Sequence, residues 1–188
     1  MQNVHPARPS RGPLRALLAA ATVAGLFAGG AALFAEECAK FRPSPEHAIL
    51  TACEGAYDLT FSDGSKGTSS CRAGLGGQWL QEQVRADFCG QGYEGAGATS
   101  YDPVRKRYVN VWIDSASPSP LVSEGAYDPA TKTLTLAGDM TTPQGKAVRA
   151  TLVIVQKSAD TRTFTMKVPG ADGTPVELFS ITYQRRKS

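Results

Sequence analysis

Large aromatics set beside acids are the residues of this chain best placed to do chemistry. Tyr93-Glu94, Tyr101-Asp102, Trp112 with Asp114, Glu124, and Tyr127-Asp128 all fall between residues 93 and 128. Side chains two apart share one face of a strand, so Trp112 and Asp114 point the same way, as do Trp79, Gln81 and Gln83. An aromatic wall with a few polar groups is what a pocket for a small, partly apolar molecule needs. The candidate ligand contacts are therefore Trp79, Tyr93, Glu94, Tyr101, Trp112, Asp114, Glu124 and Tyr127. The plainer alternative has the acids ending strands and capping turns while the aromatics fill core. Hydrolysis is a further alternative, since glycosidase chemistry uses two carboxylates about 5 to 9 Å apart. Nothing in the spacing of Glu94, Asp114 and Glu124 requires such a pair. Catalytic residues are left unassigned.

Other chemistries lose support on composition. Nucleophile motifs, phosphate-binding loops and a dinucleotide fingerprint are absent. The two histidines are His5 and His47, too few for a poly-His metal site, and no C-x-x-C occurs. No metal or cofactor is expected. His47, beside Glu46 on a short helix, reads as a solvated or capping residue. Of the 20 basic residues, Arg8, Arg11 and Arg15 precede residue 36, where none of the 17 acids lies. The remainder is formally neutral, so the field that holds nucleic acid is missing.

The elements that must position these residues are strands. Arg107 to Ile113 alternates, with Val109, Val111 and Ile113 on one face and Tyr108, Asn110 and Trp112 on the other. Thr133 to Leu136 alternates too, and Val148 to Val155 is a β-branched run. Phe164, Met166 and Val168 are in phase, as are Phe179, Ile181 and Tyr183. Hairpin chemistry separates the runs at Ser62–Ser65, Gly74–Gly77, Pro143–Gly145, Ser158–Thr161 and Ala171–Gly173. Tyr-Asp-Pro occurs at Tyr101 and again at Tyr127, with Lys106 and Lys132 at matching offsets, which suits two equivalent type I turns. Ser44 to Ala52 is the one helical segment, with Pro45 and Glu46 in its first turn. About ten short sequential strands in one domain indicate an all-β antiparallel barrel or sandwich.

Residues 1–35 read as a signal peptide: a basic opening, the uncharged Ala- and Leu-rich run Ala16 to Ala35, and small residues at its end. The domain is then 36–188, periplasmic or secreted and free of the membrane once the leader is removed. An uncleaved membrane anchor is the alternative. Cys38, Cys53, Cys71 and Cys89 fit an oxidising address with two disulfides, for which three pairings are possible. A first hairpin turning at Asp63-Gly64 pairs residues summing to about 127, which sets Cys71 opposite Ala56 and near Cys53. The second hairpin carries Cys89 to the opposite end. Cys53–Cys71 and Cys38–Cys89 are therefore the expected bonds.

The run GGQWLQEQVRADFCGQGYEGAGATSYD from Gly76 to Asp102, followed by KRYVNVWIDS, SEGAYDPATKTLTLAGD and the closing ITYQR, resembles the uncharacterised bacterial family called domain of unknown function fifteen seventy-nine. The likeness spans Pro45 to Arg185, and Tyr57 stands where the family's G-x-W has Trp. It implies an exported, up-and-down, calycin-like β-barrel with a short N-terminal helix, and no established activity. It further implies that Tyr57, on the first strand, packs beside Arg185, on the last, to close the barrel.

The functional expectation is an exported protein that binds a small molecule inside its barrel, of unknown oligomeric state. An envelope interaction module with a filled barrel is the remaining alternative. N-terminal sequencing of the exported protein is expected to begin at Glu36, and a chain beginning at Met1 would restore the anchor.

Overall fold

The computed structural model describes residues 42–88, 90–142 and 144–187. The leader, the expected Glu36 terminus, Cys38 and Cys89 lie outside them, so the Cys38–Cys89 bond does too. Helix α1 (Pro45–Thr51) is followed by ten strands: β1 (Gly55–Phe61), β2 (Lys66–Gly74), β3 (Trp79–Phe88), β4 (Gln91–Asp102), β5 (Arg107–Asp114), β6 (Leu121–Asp128), β7 (Thr133–Thr141), β8 (Ala147–Gln156), β9 (Thr161–Pro169) and β10 (Pro175–Arg185). Each pairs antiparallel with the next, and β10 returns to β1, giving a closed up-and-down barrel. Closure leaves no strand edge unpaired.

Period-two alternation decides which side chains meet inside. Tyr57, Leu59 and Phe61 of β1, Leu80 and Val84 of β3, Leu134 and Leu136 of β7, and Ile181 and Tyr183 of β10 are all buried. Their neighbours Asp58, Thr60, Gln81, Gln83, Thr135 and Gln184 face outward, and all six are exposed. Apolar inside and polar outside is the reverse of a barrel bathed in lipid.

The turns follow their chemistry. Asp63 Oδ1 accepts the Ser65 N–H at 2.9 Å while Gly64 takes φ 89°. The two Tyr-Asp-Pro segments fold alike: Asp102 Oδ1 accepts the Val104 N–H and Asp128 Oδ1 the Ala130 N–H, each at 2.9 Å. Lys106 and Lys132 then share φ 52° in the left-handed region. The second hairpin turns one residue later than expected, over 75–78, because Leu75, Gly76 and Gly77 all adopt positive φ.

Helix α1 covers the barrel end at which β1 begins and β10 finishes. His47 fills the third helical position as a capping partner, its Nδ1 accepting the Ser44 N–H at 3.0 Å. It is buried, edge-on to Tyr101 at 6.0 Å, and so is a capping residue rather than a solvated one. Tyr108 donates its hydroxyl to the Glu46 carbonyl at 3.1 Å, pinning the helix to the barrel.

Beside the helix lies the seam. Tyr57 and Arg185 are register partners across β1 and β10, and the guanidinium sits 4.9 Å above the ring centroid. Arg185 donates to the Glu54 carbonyl and, at 3.0 Å, to the Ala52 carbonyl. The Tyr57 hydroxyl donates to the Cys53 carbonyl at 2.9 Å. Helix exit, first strand and last strand are thus tied through one ring.

The expected Cys53–Cys71 bond is absent, and both thiols are free. Cys71 pairs in register with Gly55, one residue from the expected Ala56. Its sulfur is turned to the interior, 3.6 Å from Ser69 Oγ and 3.3 Å from the Arg162 guanidinium. The Cys53 thiol instead points back along the helix, to the Ile49 carbonyl at 3.6 Å.

Replacing Tyr57 by Ala empties the ring's volume at a site 2 % exposed. Its expected cost is about 3–5 kcal/mol. Tyr57→Phe keeps the stack, loses one hydrogen bond and is expected to cost about 1 kcal/mol. Denaturant unfolding of both variants measures the difference, and equal losses would remove the ring from its structural place.

Candidate functional site

Ten strands enclose more space than their side chains fill. The barrel holds a cavity of about 580 Å³, lined by apolar residues of nearly every strand, among them Leu80, Leu136, Leu152, Phe164, Met166 and Ile181. Its two polar regions sit at different depths.

The inner one is built on Arg162, the second residue of β9, two positions before Phe164 and therefore facing in. Its guanidinium packs against two neighbouring rings, 4.7 Å from the Tyr57 centroid and 4.3 Å from that of Tyr183. One nitrogen donates to Glu82 Oε1 at 3.2 Å and reaches Cys71 Sγ at 3.3 Å. Ser69 Oγ donates to the same Glu82 oxygen at 2.6 Å. Burial, then the Glu82 charge, raise the Tyr183 hydroxyl far above its ordinary pKa, so it stays protonated and donates to that carboxylate. Burial and Glu82 also push the Cys71 thiol up to about 11, which makes it a poor nucleophile at neutral pH. Neither Arg162 nor Glu82 was among the residues picked from the sequence. The signal was present: each is a charge in the apolar phase of a strand, Glu82 between Leu80 and Val84, Arg162 ahead of Phe164 and Met166.

The outer region lies toward the rim opposite α1, where the β5–β6 connection (115–120) and Thr141 line the cavity. Trp112 donates its indole N–H to Asp114 Oδ2 at 3.1 Å and to the Tyr93 hydroxyl at 3.0 Å. Asp114 Oδ1 accepts the Ala116 N–H at 2.8 Å, which fixes the carboxylate at the start of the connection. Burial, then the Asp114 charge, raise the Tyr93 pKa, and its hydroxyl donates to Asp114. The indole lies flat over β4. A Cβ built on Gly95 would stand 2.4 Å from Trp112 Cζ2, and one on Gly97 2.4 Å from Cε3. The segment Tyr93-Glu94-Gly95-Ala96-Gly97 is therefore shaped to receive Trp112, and Trp112-Ile113-Asp114 supplies the acid that binds both polar tips.

Of the eight candidate contacts, Tyr93, Trp112 and Asp114 come together on the cavity wall. Trp79 does not: Leu80, Glu82 and Val84 take the inner face of β3, leaving Trp79 on the outer face with Gln81 and Gln83. Glu94 is outside as well, in a solvent-exposed ion pair with Arg85 at 3.2 Å, the kind that contributes little. Glu124 lies on the outer wall between Arg105 at 2.6 Å and Arg107 at 3.0 Å, whose hydrogen bonds hold its carboxyl below the usual range. Tyr101 and Tyr127 line a shallower depression beside α1 with Tyr108, outside the main cavity. Among the described residues no group of three or more His, Cys, Asp or Glu is placed to hold a metal ion.

The indole and the glycines beneath it are expected to be energetically coupled. Gly95→Ala should cost about 1–3 kcal/mol by overpacking. In a Trp112→Ala background the same change should cost about 1 kcal/mol less, since only the Tyr93 hydroxyl, 3.0 Å from that Cβ, then stands against it. A double-mutant cycle from denaturant unfolding reads this directly, and equal costs in both backgrounds would refute the fit.

Comparison with known proteins agrees with this architecture. The crystal structure of Rv2717c from M. tuberculosis superposes with a TM-score of 0.52 at 12% identity, over 77% of this chain and 99% of that one. Two redesigned beta barrels also match, each at a TM-score of 0.38. One, b11L5F_LGL, is 15% identical over 74% of this chain and 96% of its own; the other, mFAP1 bound to DFHBI, is 16% identical over 73% and 98%. At these identities the likeness to Rv2717c speaks for the fold alone. No curated protein matches. The family described as a protein of unknown function, DUF1579, matches residues 42–185, and the chain belongs to that family.

Proposed function

We propose that this is an exported protein that binds a small, partly apolar molecule inside its barrel. One observation carries the reading: a cavity of about 580 Å³, apolar over most of its wall, with its charged groups confined to Glu82–Arg162 within and Asp114, held by Tyr93 and Trp112, nearer the rim. That volume is in the range of small-molecule sites, and a few fixed polar groups on an apolar wall are their usual chemistry. The export half of the reading rests on residues 1–35. It places the domain in the periplasm or outside the cell, or on the membrane if the leader is retained.

The alternatives draw less support. Both cavity carboxylates are already committed, Glu82 to Ser69 and Arg162, and Asp114 to Trp112 and the Ala116 backbone. They stand in separate regions of the cavity, one within and one nearer the rim, and not as a facing pair. An interaction module with a filled barrel does not require a cavity of this size.

Native mass spectrometry of the protein purified from its own periplasm is expected to show a co-purifying small molecule. The same molecule, added back at a hundred times its Kd, should stabilise the fold by about 2.7 kcal/mol. A protein that emerges empty and whose melting temperature no amphiphile raises would overturn the proposal.

A further inference from the structure

The polar groups of the cavity also constrain its guest. We infer that the bound molecule ends in a hydrogen-bond donor without negative charge, an alcohol, amide or amine rather than a carboxylate. The inference rests on the small-molecule reading above.

The charged side chains that line the cavity are Glu82, Asp114 and Arg162, two carboxylates against one guanidinium. The guanidinium is already ion-paired: one of its nitrogens donates to Glu82 and reaches Cys71, and the Tyr57 and Tyr183 rings pack against it. Its side chain is 6% exposed against 20% for that of Glu82, so a guest reaching the inner region meets mainly the acid. A buried carboxylate gains from every donor that approaches it and is penalised by an unpaired acceptor.

A guest entering the other way round fares no differently. Toward the rim stands Asp114, which accepts from Trp112 and the Ala116 backbone and has no cationic partner among the described residues. Whichever end of an amphiphile carries the polar group, that group meets a carboxylate. An anionic head would be held against like charge within a wall of low polarizability, where Coulomb repulsion is least screened. The other polar lining, Asn110 Nδ2 donating to Thr99 Oγ1 and Ser119 Oγ to Thr141 Oγ1, each at 2.9 Å, with Ser117, is neutral and does not change the balance.

The test compares three guests that share one chain and differ in head group: decan-1-ol, decylamine and decanoate, at pH 7.5. Binding is followed by Trp112 fluorescence in a Trp79→Phe background, since Trp79 lies on the outer wall. Decanol or decylamine should bind at least tenfold more tightly than decanoate. Glu82→Gln keeps the shape, removes one negative charge and leaves Arg162 without an ion pair, so decanoate affinity should rise at least tenfold. Asp114→Asn should move it the same way and carries the test if Glu82→Gln does not fold. Decanoate binding as tightly as the alcohol and the amine in the parent protein, or unchanged in the folded variants, would overturn the inference while leaving the small-molecule reading intact. Failure of all three guests to bind would overturn both.

Discussion

One guanidinium orders the interior of this barrel. Taking an arginine out of water costs several kcal/mol unless its charge and donors are met, and Arg162 is only 5% exposed. The compensation is assembled from four other strands: rings from Tyr57 on β1 and Tyr183 on β10, a carboxylate from Glu82 on β3, and the Cys71 sulfur from β2. Desolvated cation–π contacts are worth about 2 kcal/mol each, so the rings are as necessary as the acid. The demand also fixes register. A slip of one residue in any of these strands would turn its contribution outward and leave a buried charge unmet. An apolar core tolerates small misalignments that this arrangement penalises.

The ring that packs against Arg162 also carries Arg185, which makes Tyr57 the link between the interior and the seam. The helix depends on the link as well, because the Tyr57 hydroxyl holds the Cys53 carbonyl and Arg185 holds those of Ala52 and Glu54. Barrel closure, the covering of one end and the polarity of the inner cavity are thus one set of contacts. The other end is organised separately, by an indole lying on two glycines with its N–H against Asp114.

The architecture was legible in the sequence because alternation, turn residues and family motifs all agree. Arg107 to Ile113 shows both the reach and the limit of this: the strand and its two faces were legible, but the inner face is the one carrying Tyr108, Asn110 and Trp112, while the more aliphatic face leaves Val111 and Ile113 exposed. The site was legible only where an aromatic and an acid share a strand face, at Trp112 and Asp114. Elsewhere residue type misled. Trp79 suggested a pocket wall, but β3 is oriented by the burial of Leu80 and Val84, which leaves the large aromatic outside and brings an acid in. Glu124 and Glu94 are paired across neighbouring strands with arginines, a partnership that only the register reveals. The disulfide expectation placed Cys53 and Cys71 in the same region but could not foresee where each sulfur points.

Arg185 and Ala52 are joined although they stand 133 positions apart. A sheet in which each strand pairs with its sequence neighbour can begin forming from the N-terminal side, yet this one has nothing to lay against the free side of β1 until β10 arrives. Until then Tyr57 lacks Arg185 and Tyr183, and Arg162 lacks one of its two rings. Until β10 has been made, therefore, the sheet has one open side. A chain without that closing strand is still unlocked, which is the state that the export proposed above would require, since a narrow translocation channel would accept it and would not pass a finished barrel.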